Sequence, residues 1–283
     1  MALLQVPQST IEENVFNALK EDIGEGDITA ELIPHDNISL ATVISREDCV
    51  FCGLDWFEET YRQIDEGVLI DWFVDDGDRV EANQTLCTIS GSSRSIVTGE
   101  RTALNFIQLL SSTASTAAMY ADRLKGHETK VLDTRKTIPG LRLAQKYAVS
   151  CGGCENHRLG LYDAFLIKEN HINACEGITN AVSEARFHNP QLSVEVEVET
   201  LDELREAIEA GADRVLLDNF DTAMMHEAVA LCQQGSGRKV VTEASGNITL
   251  DNIVEIASTG VDYVSTGALT KDIKAIDLSM RFD

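Results

Sequence analysis

Apolar positions recur at helical spacing near the start of the chain. Ile11, Val15, Phe16 and Leu19 follow a capping box, Thr10-x-x-Glu13, and predict a helix over 9–22 that the GEGD run at 24–27 ends. Residues 38–53 read as strands and LDWFEETYRQID at 54–65 as a helix. VLIDWFVD and QTLCTIS read as strands flanking DDGDRVEAN, whose Asp-Gly turn and following alternation is a hairpin signature. The first hundred residues thus predict an α+β unit. A long helical pattern then runs from Glu100 to about Leu124, and its small residues, SSTASTAAM, predict close packing against another helix.

Beyond that helix the rhythm changes. Strand-like runs appear at TKVLDT, AFLIK, LSVEVEVE, RVLLD, KVVTE and DYVSTG. Helical runs separate them: LRLAQKYAVS, ITNAVSEARFH, LDELREAIEAG, TAMMHEAVALC and LDNIVEIASTG. Such alternation means parallel strands with helical crossovers, as in a (β/α) barrel; a doubly wound open sheet is the alternative. No GxGxxG follows any strand, which weakens a dinucleotide-binding reading.

The chain has 283 residues, room for one large domain or two ordinary ones, and a formal net charge of −24. So acidic a surface repels polyanions, and nucleic acid is not an expected partner. The longest apolar stretches, such as VFCGL, fall far short of the about 20 residues that span a membrane. The N-terminus MALLQVPQSTIEEN lacks the basic start and apolar core of a secretory signal, and seven cysteines is an odd number; both point to reduced thiols in the cytoplasm. Two CxxC pairs raise the question of zinc. Cys49/Cys52 lies in an extended run, where residues i and i+3 face opposite sides, and Cys151/Cys154 in a Gly-rich turn is the better candidate. Buried free thiols are the preferred reading of both.

Against this acidic background residues 130–168 are basic. Lys130, Arg135, Lys136, Arg142, Lys146, Arg158 and Lys168 stand against Asp133, Glu155 and Asp163, seven minus three, or +4. Arg and Lys gathered this way usually bind a carboxylate or phosphate; a solvated helix face is the alternative. Barrel active sites lie at the C-terminal ends of the strands, and those ends carry Asp133, Arg135 and Lys136, then Lys168, Asp218 and Glu243. In VEVEVE, period two puts Glu195, Glu197 and Glu199 on one face and the valines on the other. With the valines under the helices, the glutamates point into the barrel and must meet cations or a metal; an exposed edge strand is the alternative. Glu197 and Asp218, from adjacent strands, suit Mg²⁺. EASGN at 243–247 and STGALT at 265–270 are small Gly-containing turns after the last two strands, where barrels often hold a phosphate. His157 beside Arg158 is a candidate ligand contact, and His171 reads as a helix-start residue. With no Ser-His-Asp arrangement and no obvious nucleophile, a chemistry of positioning and charge stabilisation fits, such as displacement at a sugar carbon bearing pyrophosphate.

The motifs GERTALNF (99–106), LDTRKTIPGLR (132–142), KYAVSCGGCENHRLGLYDAFLIKENH (146–171), VEVEVE (194–199), LLDNF (216–220), EASGN (243–247) and TGALT (266–270) closely resemble those of the quinolinate phosphoribosyltransferases. The resemblance spans nearly the whole chain, from EDIGEGDITA at 21–30 to the terminal DLSMRF. It implies an α/β protein with an N-terminal α+β sandwich over 1–108, rejoined by 271–283, and an open (β/α) barrel over 109–270. It also implies a homodimer or larger assembly in which Arg101 reaches the neighbouring site. The expected reaction joins quinolinate to 5-phosphoribosyl 1-pyrophosphate and yields nicotinate mononucleotide, pyrophosphate and CO₂, with Mg²⁺ as cofactor. By matching positions, Thr134, Arg135, Lys136, His157, Arg158 and Lys168 would bind quinolinate. Glu197 and Asp218 would serve Mg²⁺ and the ribose. Ser245, Gly246, Asn247, Thr266, Gly267 and Ala268 would hold the 5-phosphate. Lys136, Lys168, Glu197 and Asp218 form the expected catalytic set, with Lys136 as the acid nearest the ring carbon that loses CO₂.

Two departures from the family pattern are a cysteine, Cys154, where a third glycine is usual, and Asn247 where a second glycine is usual. Asn tolerates positive φ better than most residues, so the second change is mild. Arg142 and Lys146 have no expected site role, and Lys130 reads as a strand-start charge. Two other functions are open: a related phosphoribosyltransferase acting on another planar acid such as nicotinate without decarboxylation, and a non-catalytic binding protein on the same scaffold.

Overall fold

The structure, a computed structural model, describes residues 3–234 and 239–282. Helix α1 (Gln8–Ile23) leads into β1 (Ile38–Ser45), β2 (Cys49–Val50), α2 (Leu54–Ile64), β3 (Leu69–Trp72), β4 (Arg79–Val80) and β5 (Thr85–Ser92). The long α3 (Ser93–Arg123) is followed by β6 (Lys130–Leu132), α4 (Arg142–Cys151), β7 (Phe165–Ile167), α5 (Glu169–Ala174) and α6 (Ile178–His188). Then come β8 (Val194–Val198), α7 (Leu201–Glu209), β9 (Arg214–Asp218), α8 (Thr222–Gln234), β10 (Val241–Ser245), α9 (Ile253–Ala257), β11 (Tyr263–Ser265), α10 (Ala268–Lys271) and β12 (Leu278–Phe282). The chain forms two compact units. One comprises residues 1–118, 137–153 and 269–283, the other residues 119–136 and 154–268.

In the first unit β12, β1, β5 and β3 form an antiparallel sheet in that order. The predicted hairpin is present, with β3 and β5 paired from Leu69↔Ser90 to Trp72↔Cys87, while β4 leaves the connection to pair with β2. Phe57, Tyr61, Ile89, Ile96 and Leu104 are buried together beneath this sheet. Helix α3 starts at Ser93 rather than Glu100. Gly99 lies inside the helix and makes room for a ring: a Cβ there would lie 2.6 Å from Cε1 of Tyr61. The small-residue stripe packs on α4, as expected. Ala114 and Ala118 share a core with Ala144 and Ala148, and a Cβ at Gly152 would come within 2.5 Å of Cβ of Ala117.

The second unit is a parallel sheet in the order β6-β11-β10-β9-β8-β7, with β6 and β7 as its edges. Consecutive strands from β7 to β11 are neighbours, the order of an open (β/α) barrel and not of a doubly wound sheet. Strand β8 is paired on both sides, so the edge-strand reading of VEVEVE is excluded. Val194, Val196 and Val198 are fully buried on its outward face, which aims Glu195 and Glu197 inward. Glu199 departs from this pattern. It is exposed, and its N–H donates to Glu203, part of the capping box through which Thr200 starts α7.

Candidate active site

The inward side chains of the barrel form layers, because parallel register places alternate residues of neighbouring strands side by side. Glu195 pairs in register with Leu166 and Arg214, Glu197 with Leu216, Leu216 with Glu243, and Asp218 with Ser245. A cavity of about 360 Å³ lies over these layers. Of the expected residues, Thr134, Arg135, Lys136, His157, Arg158, Lys168, Glu197 and Ser245 line it, joined by Leu166, Leu216, Glu243 and Ser265. The basic residues come from the segment after β6, the loop before β7 and the exit of β7, which is why one stretch of sequence looked like an island of charge.

The cations are arranged without equal numbers of anions. Lys168 Nζ pairs with Glu197 Oε2. Burial, and then the charge of Arg135, lowers the pKa of Arg158, a sign of two guanidinium groups held together. Arg158 spends one donor on the Ala164 carbonyl at 3.2 Å, and the buried Nε of Arg135 has no partner among the described residues. Unpartnered donors aimed at a cavity are ready for an anion. The remaining cations of the segment lie elsewhere: Lys130 pairs with Glu155 at 2.5 Å, Arg142 donates to Thr137, and Lys146 is fully buried in α4.

Beneath the cavity is a network that sequence reasoning missed in part. His157 Nε2 lies 3.0 Å from Glu195 Oε2 and 3.5 Å from Glu243 Oε2, and Arg214 Nη1 lies 3.1 Å from the same Glu243 oxygen. Arg214 also sits over the Tyr263 ring, 4.6 Å from its centroid. The Arg158 backbone N–H donates to His157 Nδ1 at 2.7 Å, so the proton of the neutral ring is on Nε2, facing the glutamates. Asp133 is fully buried and accepts from the His157 backbone N–H at 2.9 Å and from Asn156 Nδ2 at 2.7 Å, fixing this loop. Burial pushes Glu195 up to about 7 against the pull of Arg214. Burial, then the charge of Glu195, pushes Glu243 up to about 7 as well. One oxygen of each has no hydrogen-bond partner among the described residues.

This has a signed consequence for stability. Both carboxyls bind protons more tightly folded than unfolded, where their value is about 4.5, so the stability they confer is present below that pH. It is lost as pH rises from about 4.5 through about 7. Denaturant unfolding between pH 5 and 8 should show this decline, and Glu243→Gln should flatten it; an equal slope in the variant would contradict the assignment.

The two turns beyond β10 and β11 leave backbone N–H groups open. Asn247 has φ 50 and Gly246 φ 95, and the N–H groups of Gly246, Asn247 and Gly267 make no hydrogen bond among the described residues. Asn252 holds the turn by donating to the Asn247 carbonyl at 2.9 Å. Thr266 Oγ1 accepts the Ala268 N–H at 3.2 Å. Gly246 is confined by Asn219, whose Oδ1 a Cβ would strike. Gly246→Ala should therefore shift both turns, costing about 1 kcal/mol or more for the positive φ alone. It should raise KM for the phosphate-bearing substrate more than for the planar acid.

Asp218, the last residue of β9, is not among the residues lining this cavity, and it accepts from Asn219 Nδ2 at 3.1 Å. Arg101 is exposed on α3, in the first unit, and is no part of this cavity wall. His171 is a helix-start residue, as expected: its Nδ1 accepts the Lys168 N–H at 3.0 Å. All seven cysteines are free thiols. Neither CxxC pair converges. Cys49 lies beside Ser45, Cys154 is buried, and Cys151 groups with Cys52 and Asp76.

Comparison with known proteins decides the family. Residues 27–111 match the quinolinate phosphoribosyl transferase N-terminal domain and residues 113–281 its C-terminal domain. The chain belongs to the quinolinate phosphoribosyl transferase family. Among relatives, the probable nicotinate-nucleotide pyrophosphorylase [carboxylating] of Bacillus subtilis is 39% identical, covering 92% of this chain and 89% of that protein. The mitochondrial quinolinate phosphoribosyltransferase [decarboxylating] 2 of Nicotiana glauca is 38% identical over 98% of this chain and 83% of its own. The structure of the nicotinate-nucleotide pyrophosphorylase from Francisella tularensis superposes with a TM-score of 0.95 at 49% identity, covering 99% and 98% of the two chains. Every cavity-lining residue lies in the segment matching the C-terminal domain of the quinolinate phosphoribosyl transferase family, and Arg101 in the segment matching its N-terminal domain.

Proposed function

We infer that the chain transfers the phosphoribosyl group of 5-phosphoribosyl 1-pyrophosphate to quinolinate, with decarboxylation. The products are nicotinate mononucleotide, pyrophosphate and CO₂, a step of de novo NAD biosynthesis. The observation that carries this reading is the convergence of Arg135, Lys136, Arg158 and Lys168 on one cavity in a chain of net charge −24. Quinolinate is a dianion, and each charge-assisted hydrogen bond contributes roughly 1.5–3 kcal/mol net.

Arg135 and Arg158 grip the two carboxylates and orient the ring nitrogen toward C1 of the ribose. The nitrogen forms the new C–N bond as the C1–O bond to pyrophosphate breaks. The ring nitrogen is then cationic, so the electron pair left at C2 when CO₂ departs is stabilised by the ring itself. Lys136 supplies the proton that C2 takes up, and Lys168, paired with Glu197, holds charge balance at the pyrophosphate side. His157, with Nδ1 on the Arg158 backbone, fixes the loop that presents Arg158. The open N–H groups of Gly246, Asn247 and Gly267, with Ser245, receive the 5-phosphate.

Glu197 and Asp218 supply hard carboxylate oxygens from adjacent strands, a donor set that fits Mg²⁺. When bound, Mg²⁺ would neutralise charge on the departing pyrophosphate. We further propose a homodimer in which Arg101, exposed on α3, completes the neighbouring site. Mixing Arg101→Ala with Arg135→Ala subunits should restore activity that neither has alone; no restoration would remove the shared site. The free thiols support a cytoplasmic location, and no described helix is long and apolar enough to cross a membrane. Cell fractionation that placed the protein elsewhere would refute the location.

The nicotinate reading is weaker because one carboxylate leaves several cavity cations unmatched. Turnover with each acid tests it: quinolinate should be converted and nicotinate should not. Equal turnover of nicotinate would overturn the proposal. A Lys136→Ala enzyme that released CO₂ at the unchanged rate would remove Lys136 as the acid.

A further inference from the structure

Each of the two CxxC pairs sends one cysteine to a common place. Cys52, two residues before α2, and Cys151, the last residue of α4, bring their thiols close together. Asp76 joins them, and the potential ligand atoms of all three lie within 4.8 Å of one another. All three belong to the first unit. We propose that Cys52, Asp76 and Cys151 form a binding site for a thiophilic divalent cation of the Zn²⁺ type, separate from the barrel chemistry.

Several features support a metal site over a chance cluster. The donor set is two sulfurs and one carboxylate oxygen, a combination Zn²⁺ accepts in tetrahedral geometry. Zn–S bonds of about 2.3 Å set sulfurs roughly 3.8 Å apart, compatible with ligand atoms that all lie within 4.8 Å of one another. The carboxylate is already oriented: Asp76 Oδ1 accepts the Gly53 and Leu54 N–H groups at 2.8 and 3.2 Å, and Oδ2 accepts the Tyr147 hydroxyl at 2.7 Å. Such outer hydrogen bonds are what hold metal-ligating carboxylates in place. The supporting backbone is also tied together. Phe51 N–H donates to the Asp78 carbonyl at 2.9 Å, and Gly77 N–H donates to the Phe51 carbonyl at 2.8 Å. Cys52 is fully buried, while Cys151 and Asp76 are half-buried, which leaves a route for the ion and a water as fourth ligand.

Binding releases one proton from each thiol and leaves two Zn–S bonds, with no change in oxidation state. Its structural effect would be to pin the end of α4, six residues before His157 in sequence. The experiment is metal titration of the reduced full-length chain under anaerobic conditions. With Zn²⁺, one tightly held equivalent per chain is expected after gel filtration. With Co²⁺ as a probe, a thiolate charge-transfer band and the visible bands of tetrahedral coordination are expected. Cys151→Ser should abolish the charge-transfer intensity by at least half, Asp76→Asn should alter the visible bands, and neither should stop phosphoribosyl transfer. Because Cys52 is fully buried and Cys151 only half-buried, Cys151→Ser is the deciding variant. No stoichiometric Zn²⁺ in the reduced chain, or an unchanged Co²⁺ spectrum in Cys151→Ser, would overturn the proposal. So would a chain that binds no metal and instead yields a Cys52–Cys151 disulfide on exposure to peroxide.

Discussion

Replacing Arg135 with alanine should reduce kcat/KM for quinolinate by about 10²–10⁴-fold. The guanidinium presents two parallel donors to a carboxylate, each contributing roughly 1.5–3 kcal/mol net, and about 1.4 kcal/mol is a tenfold change. The loss should fall on KM for quinolinate as well as on kcat, because the grip on the carboxylate exists before the reaction begins. Folding stability should hardly change, since the buried Nε of Arg135 has no partner among the described residues to lose. Arg135→Lys should recover little, because a point charge cannot reproduce the planar fork. Steady-state kinetics with quinolinate varied, alongside denaturant unfolding, separates the two effects. A variant with wild-type KM and kcat would remove Arg135 from the site.

Arg214→Met should act in the opposite way, on stability first. Arg214 is the cation beside Glu243, which is fully buried, and near Glu195, which is 5% exposed. Removing one partner of a buried pair leaves an uncompensated charge and costs about 3–5 kcal/mol. The cost should be larger at pH 8 than at pH 5. Both glutamates are raised to about 7, so at the lower pH they hold protons and need the guanidinium less. Adding Glu243→Gln to Arg214→Met should return part of the lost stability. Unfolding curves at the two pH values read both effects; a pH-independent loss would show that packing against Tyr263, not charge, is what Arg214 provides.

The contrast between these two arginines shows what the sequence made legible. Arg135 stood out because it breaks the acidic trend and follows an apolar run, so a chemical reason was demanded of it. Arg214, at the start of β9, was given no role by the sequence. Its meaning depends on register across strands, Glu195↔Arg214, which chain-local periodicity does not contain. The alternation in VEVEVE was legible because fully buried valines on one face force the glutamates to the other. Glu199 escaped that rule because the strand ends at Val198 and the capping box of α7 takes over. The long helix begins at Ser93, before the pattern read from Glu100, and carries Gly99, which makes room for Tyr61. The CxxC spacings were read as free thiols, which all seven cysteines are, but spacing alone could not show that the fold brings Cys52 near Cys151 from a different motif. Asn247, read as a mild replacement for the family's usual glycine, has a φ of 50, the conformation Asn tolerates.

The central claim is that one cavity joins phosphoribosyl transfer to decarboxylation of a dicarboxylate. Its most direct test is to supply quinolinate and 5-phosphoribosyl 1-pyrophosphate with Mg²⁺ and to measure pyrophosphate and CO₂ together. The account predicts that both are released in equal amounts, and that chelating the Mg²⁺ stops both. Absence of both products under all conditions, or pyrophosphate released without CO₂, would contradict it.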